Sequence, residues 1–163
     1  MGLEIERKFL VKGAFASEAT SSTRIRQGYL NQAGGRTVRV RTRDEKAYLT
    51  IKGPSIDGGL SRFEWEMEIP MADALDLLKL SVTPVIDKTR YLVPYEGHIW
   101  EVDEFYGDNE GLVMAEIELS DPFEEFALPS WAGEEVTGDH RYYTSSLARH
   151  PFKDWQEQEP ALE

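Results

Sequence analysis

The residues with most chemistry to offer recur two apart along the chain. Thr37-Val38-Arg39-Val40-Arg41-Thr42-Arg43 presents three arginines on one parity, and Arg62-Phe63-Glu64-Trp65-Glu66-Met67-Glu68-Ile69 presents a base and three acids. Glu4, Glu6 and Lys8, then Lys88 and Arg90, Glu101 and Asp103, and Glu116 and Glu118 follow the same spacing, and Tyr48–Lys52 ends in a base. Guanidinium forks and ammonium groups suit phosphate oxygens, and clustered carboxylates are hard oxygen ligands suited to Mg²⁺ or Mn²⁺. Together they describe a site for a polyphosphate–metal complex.

Other chemistries lack their parts. No Gly-x-x-x-x-Gly-Lys-Ser/Thr loop is present to cradle phosphates, and no Gly-x-Ser-x-Gly elbow. The chain has no Cys, so it has no thiol nucleophile, no disulfide framework and no Cys-built metal site. Its three His are isolated, which argues against a triad or a two-His zinc motif. Paired carboxylates alone could serve glycoside hydrolysis, but that leaves the ladder of Arg and Lys unexplained. A net charge of −12, from 30 acids and 18 bases, disfavours DNA and anionic membranes as partners.

Period-two alternation of this quality predicts strands. Turn signals at 31–35, 44–46, 54–59 and 96–97 divide them at hairpin distances. About eight antiparallel strands suffice to close a small barrel. Helices are expected near 71–80, after Pro70; at 121–127, opened by Asp121-Pro122-Phe123-Glu124; and at 144–149, with a short turn within 14–20. At 163 residues the expectation is one domain, residues 1–155, with an acidic tail at 156–163 that frays.

Which face is inside follows from how the charges are sorted. Side chains two apart on a strand lie about 7 Å from each other. Like charges at that distance repel by roughly 0.6 kcal/mol in water and about 2.4 kcal/mol at an effective dielectric near 20. A solvated face gains nothing from such sorting, whereas a cavity holding both an anion and a cation does. The reading is therefore an inside-out barrel, with charge within and Ile5, Phe9, Phe63, Trp65, Met67, Trp100 and Ile117 outside under the helices. A transmembrane barrel shares that polarity, but its strands need roughly 9–11 residues and these are mostly shorter.

Glu4-Ile5-Glu6-Arg7-Lys8 near the N-terminus resembles the ExExK signature of the CYTH, or triphosphate tunnel metalloenzyme, family. The resemblance continues through the ordered ladder of Arg39, Arg41, Lys52, Glu64, Glu66, Lys88, Arg90, Glu101, Asp103, Glu116 and Glu118. It implies an α+β, mainly β fold: a closed eight-stranded antiparallel tunnel with a charged interior and a few short helices outside. It also implies that Lys8, Arg39, Arg41, Lys52, Lys88 and Arg90 bind phosphate. Glu4, Glu6, Asp103, Glu116 and Glu118 would hold Mg²⁺ or Mn²⁺, with Glu6, Lys8 and Glu116 as the catalytic core. Glu64, Glu66, Glu101 and Arg141 are additional candidates. The expected activity is metal-dependent hydrolysis of a terminal phosphoanhydride. A short chain with little room for recognising an organic group favours inorganic triphosphate, and adenylyl cyclase, thiamine triphosphatase or a noncatalytic polyphosphate-binding module are the alternatives.

Outside the ladder, Arg7 has the opposite parity from Lys8 and is expected to pair on the outer surface. Arg24 and Arg26 are read either as tunnel-mouth bases or as surface charges. His98 is expected to be solvated in a hairpin turn, and Tyr142 and Tyr143 to be core or rim aromatics. The charged start of the chain argues for a cytoplasmic protein; a monomer or a homodimer is expected.

Overall fold

In a computed structural model, which describes residues 2–158, the alternating segments form nine strands. They are β1 (Gly2–Val11), β2 (Ser21–Ala33), β3 (Arg36–Arg43), β4 (Lys46–Ile56), β5 (Ser61–Ile69), β6 (Ile86–Tyr95), β7 (His98–Phe105), β8 (Val113–Glu118) and β9 (Ala132–Glu135). The sheet runs β5-β4-β3-β2-β6-β7-β8-β1, and pairing of β1 with β5 closes it into an eight-stranded antiparallel barrel. Closure depends on β1 serving two neighbours in turn. Gly2–Ile5 pair with Glu64–Ser61 of β5, while Glu6–Leu10 pair with Glu118–Met114 of β8. The unexpected β9 takes over the edge of β1 at Phe9 and Val11, where β5 has moved away.

Residues directly opposite each other in an antiparallel ladder share a face. The pairs Lys8↔Glu116, Glu101↔Glu116, Arg90↔Asp103, Arg39↔Thr50 and Lys52↔Glu64 therefore place the charged parity of these ladders on one surface, the inside, to which β2 turns uncharged Ile25, Gln27 and Tyr29. The charges do not fill the whole passage. Tyr29, from within β2, and Phe105, Met114, Ile86 and Leu10, the last inner residues of their strands at one end, pack with Tyr142, Leu147 and Ala148 into an apolar plug. Leu147 and Ala148 come from α2 (Thr144–Arg149).

Outside, the apolar faces meet three fates. Phe9, Trp100, Val102 and Ile117 pack under Phe126 and Trp131, with Trp100 edge-on to both Phe9 and Trp131 at 5.5 and 5.7 Å. Val40, Ala47 and Leu49 pack under α1 (Met71–Leu78). The outer face of β5 and its neighbour stays bare, with Phe63 at 43% and Met67 at 49% exposure, so the expectation that helices cover the whole exterior does not hold there.

The cover at 121–127 is also not the helix that its capping pattern predicts. Asp121 does accept the Phe123 N–H, at 2.8 Å, but Glu124 turns back to accept from Ser120 N–H and His98. Between Pro122 and Pro129 too few residues remain to repay helix nucleation. Conversely, α3 (Phe152–Gln158) is a helix the sequence did not signal, and it takes in the first residues of the segment expected to fray; residues 159–163 lie outside those described. No helix among the described residues is long and apolar enough to cross a membrane, but β1, β2, β4, β5 and β6 run 9–13 residues, so the expectation of mostly shorter strands does not hold.

One close approach ties the barrel to its plug. Gly59, in the β4–β5 connection, has φ +94°, and a Cβ there would sit 2.3 Å from the Cα of Gly138, which leads toward α2. Gly59→Ala forces an L-residue into a left-handed conformation, costing about 1–3 kcal/mol before the backbone clash is counted. The expected result is a urea midpoint lowered accordingly, with an unchanged slope. An unaltered midpoint would mean the two segments do not meet.

Candidate active site

A cavity of about 190 Å³ lies inside the barrel, and the predicted ladder lines almost all of it. Every barrel strand except β2 contributes by parity: Glu4, Glu6 and Lys8 from β1, Arg39 and Arg41 from β3, Lys52 from β4, and Glu64 and Glu66 from β5. Lys88 and Arg90 from β6, Glu101 from β7 and Glu116 and Glu118 from β8 complete the ring.

Bases and acids pair across the ladders. Lys52 Nζ lies 2.9 Å from Glu4 Oε1 and 3.5 Å from Glu64 Oε2. Lys8 Nζ lies 3.3 Å from Glu116 Oε1 and donates to the Tyr142 carbonyl at 3.5 Å. Arg41 Nη2 donates to Glu66 Oε1 at 3.2 Å, and Arg39 Nη2 is 4.0 Å from the same oxygen, which also accepts from Thr50 Oγ1 at 2.7 Å. Two buried arginines thus share one carboxylate, and the Nε–H of each is buried with no acceptor. Burial first, then the neighbouring Arg39 and Arg90, pulls Arg41 down to about 10. An orphaned guanidinium N–H in a crowd of like charges is a demand for an anion.

The acidic side shows the reverse imbalance. Burial, then Glu116, pushes Glu6 well above the usual carboxylate range. Glu116 goes the other way: burial opposes its charge, but Lys8, the hydrogen bond with Glu6, Arg90 and Lys88 hold it well below that range. The two carboxyls are thus pushed in opposite directions, Glu6 toward its neutral form and Glu116 toward its charged one. Burial and then Glu4 raise Glu64, and burial followed by Glu4 and Glu101 raises Glu118. Carboxylates crowded this way fit a divalent cation, whose charge would let them all ionise and would release the proton of Glu6. Among the described residues no three carboxylates stand close enough to cage an ion unaided.

Two predicted residues fall elsewhere. Asp103, expected among the metal ligands, does not line the cavity. Its Oδ1 accepts from Arg90 Nε at 2.8 Å, and its Oδ2 from Lys88 Nζ and Arg90 Nη2 at 2.8 and 2.9 Å. Both oxygens are occupied, and against the cost of burial Arg90 and Lys88 hold Asp103 at about 2. The same burial lowers Lys88 to about 8 despite Asp103, because Lys88 shares that carboxylate with Arg90 and is repelled by it. Arg141, the additional substrate contact, instead pairs with Asp139 at 2.7 Å and lies over the rings of Tyr142 and Trp155.

Of the open readings, Arg24 resolves as a surface charge, paired with Asp87 at 2.6 Å and stacked on Tyr106, and Arg26 lies 3.9 Å from the same carboxylate. Arg7 pairs with Glu135 outside, as its parity predicts. His98 is not simply solvated: its Nε2 lies 2.6 Å from Glu124 Oε2.

Three lining residues had no assigned role. Arg62 was visible by parity with Glu64. Tyr143 and Thr144 come from the segment that enters the plug, where no periodicity marks them. Tyr143 is central to the rim: Lys8 Nζ lies 5.2 Å and Arg62 Cζ 5.5 Å from its ring centroid, and its hydroxyl is 3.0 Å from Ser55 Oγ.

Residues 2–150 match the CYTH domain family. The chain is 49% identical over 158 residues to an inorganic triphosphatase of Acetivibrio thermocellus, covering 96% of this chain and all of that protein. It is 36% identical over 150 residues to an inorganic triphosphatase of Nitrosomonas europaea, covering 89% of this chain and 96% of the relative. Among solved structures, that of the inorganic triphosphatase NE1496 superposes with a TM-score of 0.66 at 31% identity, covering 89% of this chain and 97% of that one.

Proposed function

Because the chain belongs to the CYTH domain family, we propose that its tunnel hydrolyses triphosphates, with inorganic triphosphate as the substrate it fits best. The observation that carries this reading is the pair of buried arginines, Arg39 and Arg41, with one carboxylate between them and no acceptor for either Nε–H. The size of the cavity supports the choice of substrate. At about 190 Å³ it is smaller than the roughly 300–1,000 Å³ of sites for drug-sized ligands. Its lining holds a single aromatic ring, Tyr143, so a nucleoside or thiamine moiety has little to stack on. The names of the two relatives point the same way.

In this reading Arg39, Arg41, Lys8, Lys52, Lys88 and Arg90 hold the phosphate chain in line and offset its charge, which is most of what phosphoryl transfer asks of a protein. Lys52 and Arg41, paired with Glu4 and Glu66, can exchange those carboxylates for phosphate oxygens, while Lys8 keeps Glu116 and Lys88 and Arg90 keep Asp103. Glu4, Glu6, Glu116 and Glu118, with Glu64 beside them, would hold Mg²⁺ or Mn²⁺. When bound, the metal supplies charge neutralisation and a water acidified enough to attack phosphorus. Glu116 keeps Lys8 protonated beside the substrate, and Glu6 loses its proton only when the site fills. Asp103 serves as a positioning residue, fixing Lys88 and Arg90 from behind.

The test is phosphate release from triphosphate, ATP and thiamine triphosphate in Mg²⁺ and in Mn²⁺, with cyclic AMP measured in parallel. The expected result is turnover of triphosphate well above the other two, and none after chelation. Cyclic AMP as the main product, or tight triphosphate binding without turnover in either metal, would overturn the reading.

A further inference from the structure

Beside the plug, a second cavity of about 310 Å³ opens between α2 and the wall made by β3, β4 and β5. It shares Arg62 and Tyr143 with the tunnel. Arg36, Arg62, His140, Arg149 and His150 line it, Thr37 and Ser55 add hydroxyls, and no carboxylate does. In a protein of net charge −12 that is an unusual surface.

The arginines sharpen the point. Among the described residues, every other arginine except Arg43 has a carboxylate within 4.0 Å. Arg36, Arg62 and Arg149 have none: Arg62 donates to the Gly53 carbonyl, and Arg149 to Gln32. Three guanidinium groups without counter-charge thus meet in one cleft. The remaining rim of the tunnel carries Glu101 and Glu118, which repel an anion.

We propose that this cleft is a second oxyanion site, outside the triphosphate site, that takes a free phosphate group: the orthophosphate or pyrophosphate that triphosphate hydrolysis releases. Guanidinium forks and hydroxyls match the oxygens of such a dianion, and the shared Arg62 makes the cleft continuous with the place where products form. Identifying the anion as product rests on the proposed hydrolysis, whereas anion binding in the cleft rests on its charge alone.

The experiment titrates the full chain by calorimetry in EDTA, with the tunnel first saturated by tripolyphosphate, using orthophosphate in one arm and pyrophosphate in the other. Arg36→Gln/Arg149→Gln is the variant. Arg36→Gln alone, which removes no internal partner, is the fallback should the double variant fold poorly. The wild type is expected to bind one further equivalent of orthophosphate or pyrophosphate, and the arm that titrates identifies which. Binding weakens roughly tenfold or more in the double variant, the scale of one or two lost charge-assisted hydrogen bonds. Triphosphate turnover without added product is unchanged, while inhibition by the bound product is relieved. No further binding in the wild type, or an affinity in the variant equal to that of the wild type, overturns the proposal. Failure of hydrolysis leaves the calorimetric readout intact, so the two readings fail separately.

Discussion

Glu6→Gln is expected to lower metal-dependent triphosphate hydrolysis by about 10²–10³-fold, the scale of removing one preorganised electrostatic contact at a reacting centre, while leaving the metal-free protein as stable as the wild type. The two halves of this result come from one observation. Without metal, burial and then Glu116 push Glu6 well above the usual carboxylate range and favour its neutral form, which Gln nearly reproduces. Only on filling the site must the carboxylate ionise, and Gln cannot. The decisive measurements are urea midpoints in chelator beside kcat and KM across a Mg²⁺ titration. The corresponding change at Glu116 should differ, because Lys8 helps hold Glu116 well below the usual carboxylate range and its loss strands a buried ammonium. Full activity of Glu6→Gln, or a stability loss in chelator as large as that of Glu116→Gln, would defeat the assignment.

The largest effect on stability is expected at Asp103, although it does not line the cavity. Asp103→Asn leaves Lys88 and Arg90 side by side with their shared counter-charge gone, and breaking a buried pair in this way costs about 3–5 kcal/mol against total stabilities of roughly 5–15 kcal/mol. Turnover should fall as well, since both phosphate-binding bases lose their fixed geometry. The pH dependence separates this from simple packing damage. The folded-state value of Asp103, about 2, lies below its ordinary value of 3.8. Between those values the unfolded chain binds more protons, so this contribution is present in full above about pH 4 and is lost as pH falls through 2. The stability difference between wild type and Asp103→Asn should therefore shrink across that window. A difference that stays constant from pH 5 to 2 would show that ion pairing is not what Asp103 supplies.

These two carboxylates also mark the boundary between what was legible in the chain and what was not. Both stand on the charged parity of their strands, so the sequence places both on the inner wall. Parity is local: bond geometry alone sends successive side chains to opposite faces, and sorted charge signs then say which face closes around a ligand. The barrel, its charged interior and nearly all the residues that line the cavity are legible in this way. Which inner carboxylate is left exposed to the cavity, and which disappears behind two bases, depends on neighbours brought in by three different strands. No spacing within one strand carries that information. The same limit explains the loop at 121–127, where local capping residues were present but Glu124 found partners in Ser120 and His98. It explains Tyr143 and Thr144, which reach the cavity from a plug with no period of its own. The amino-acid order alone determined which face of each strand is charged, because that is set within a few bonds; the tertiary structure alone decided which charges neutralise each other and which remain for a substrate, because ion pairing depends on distances across the barrel that only closure creates.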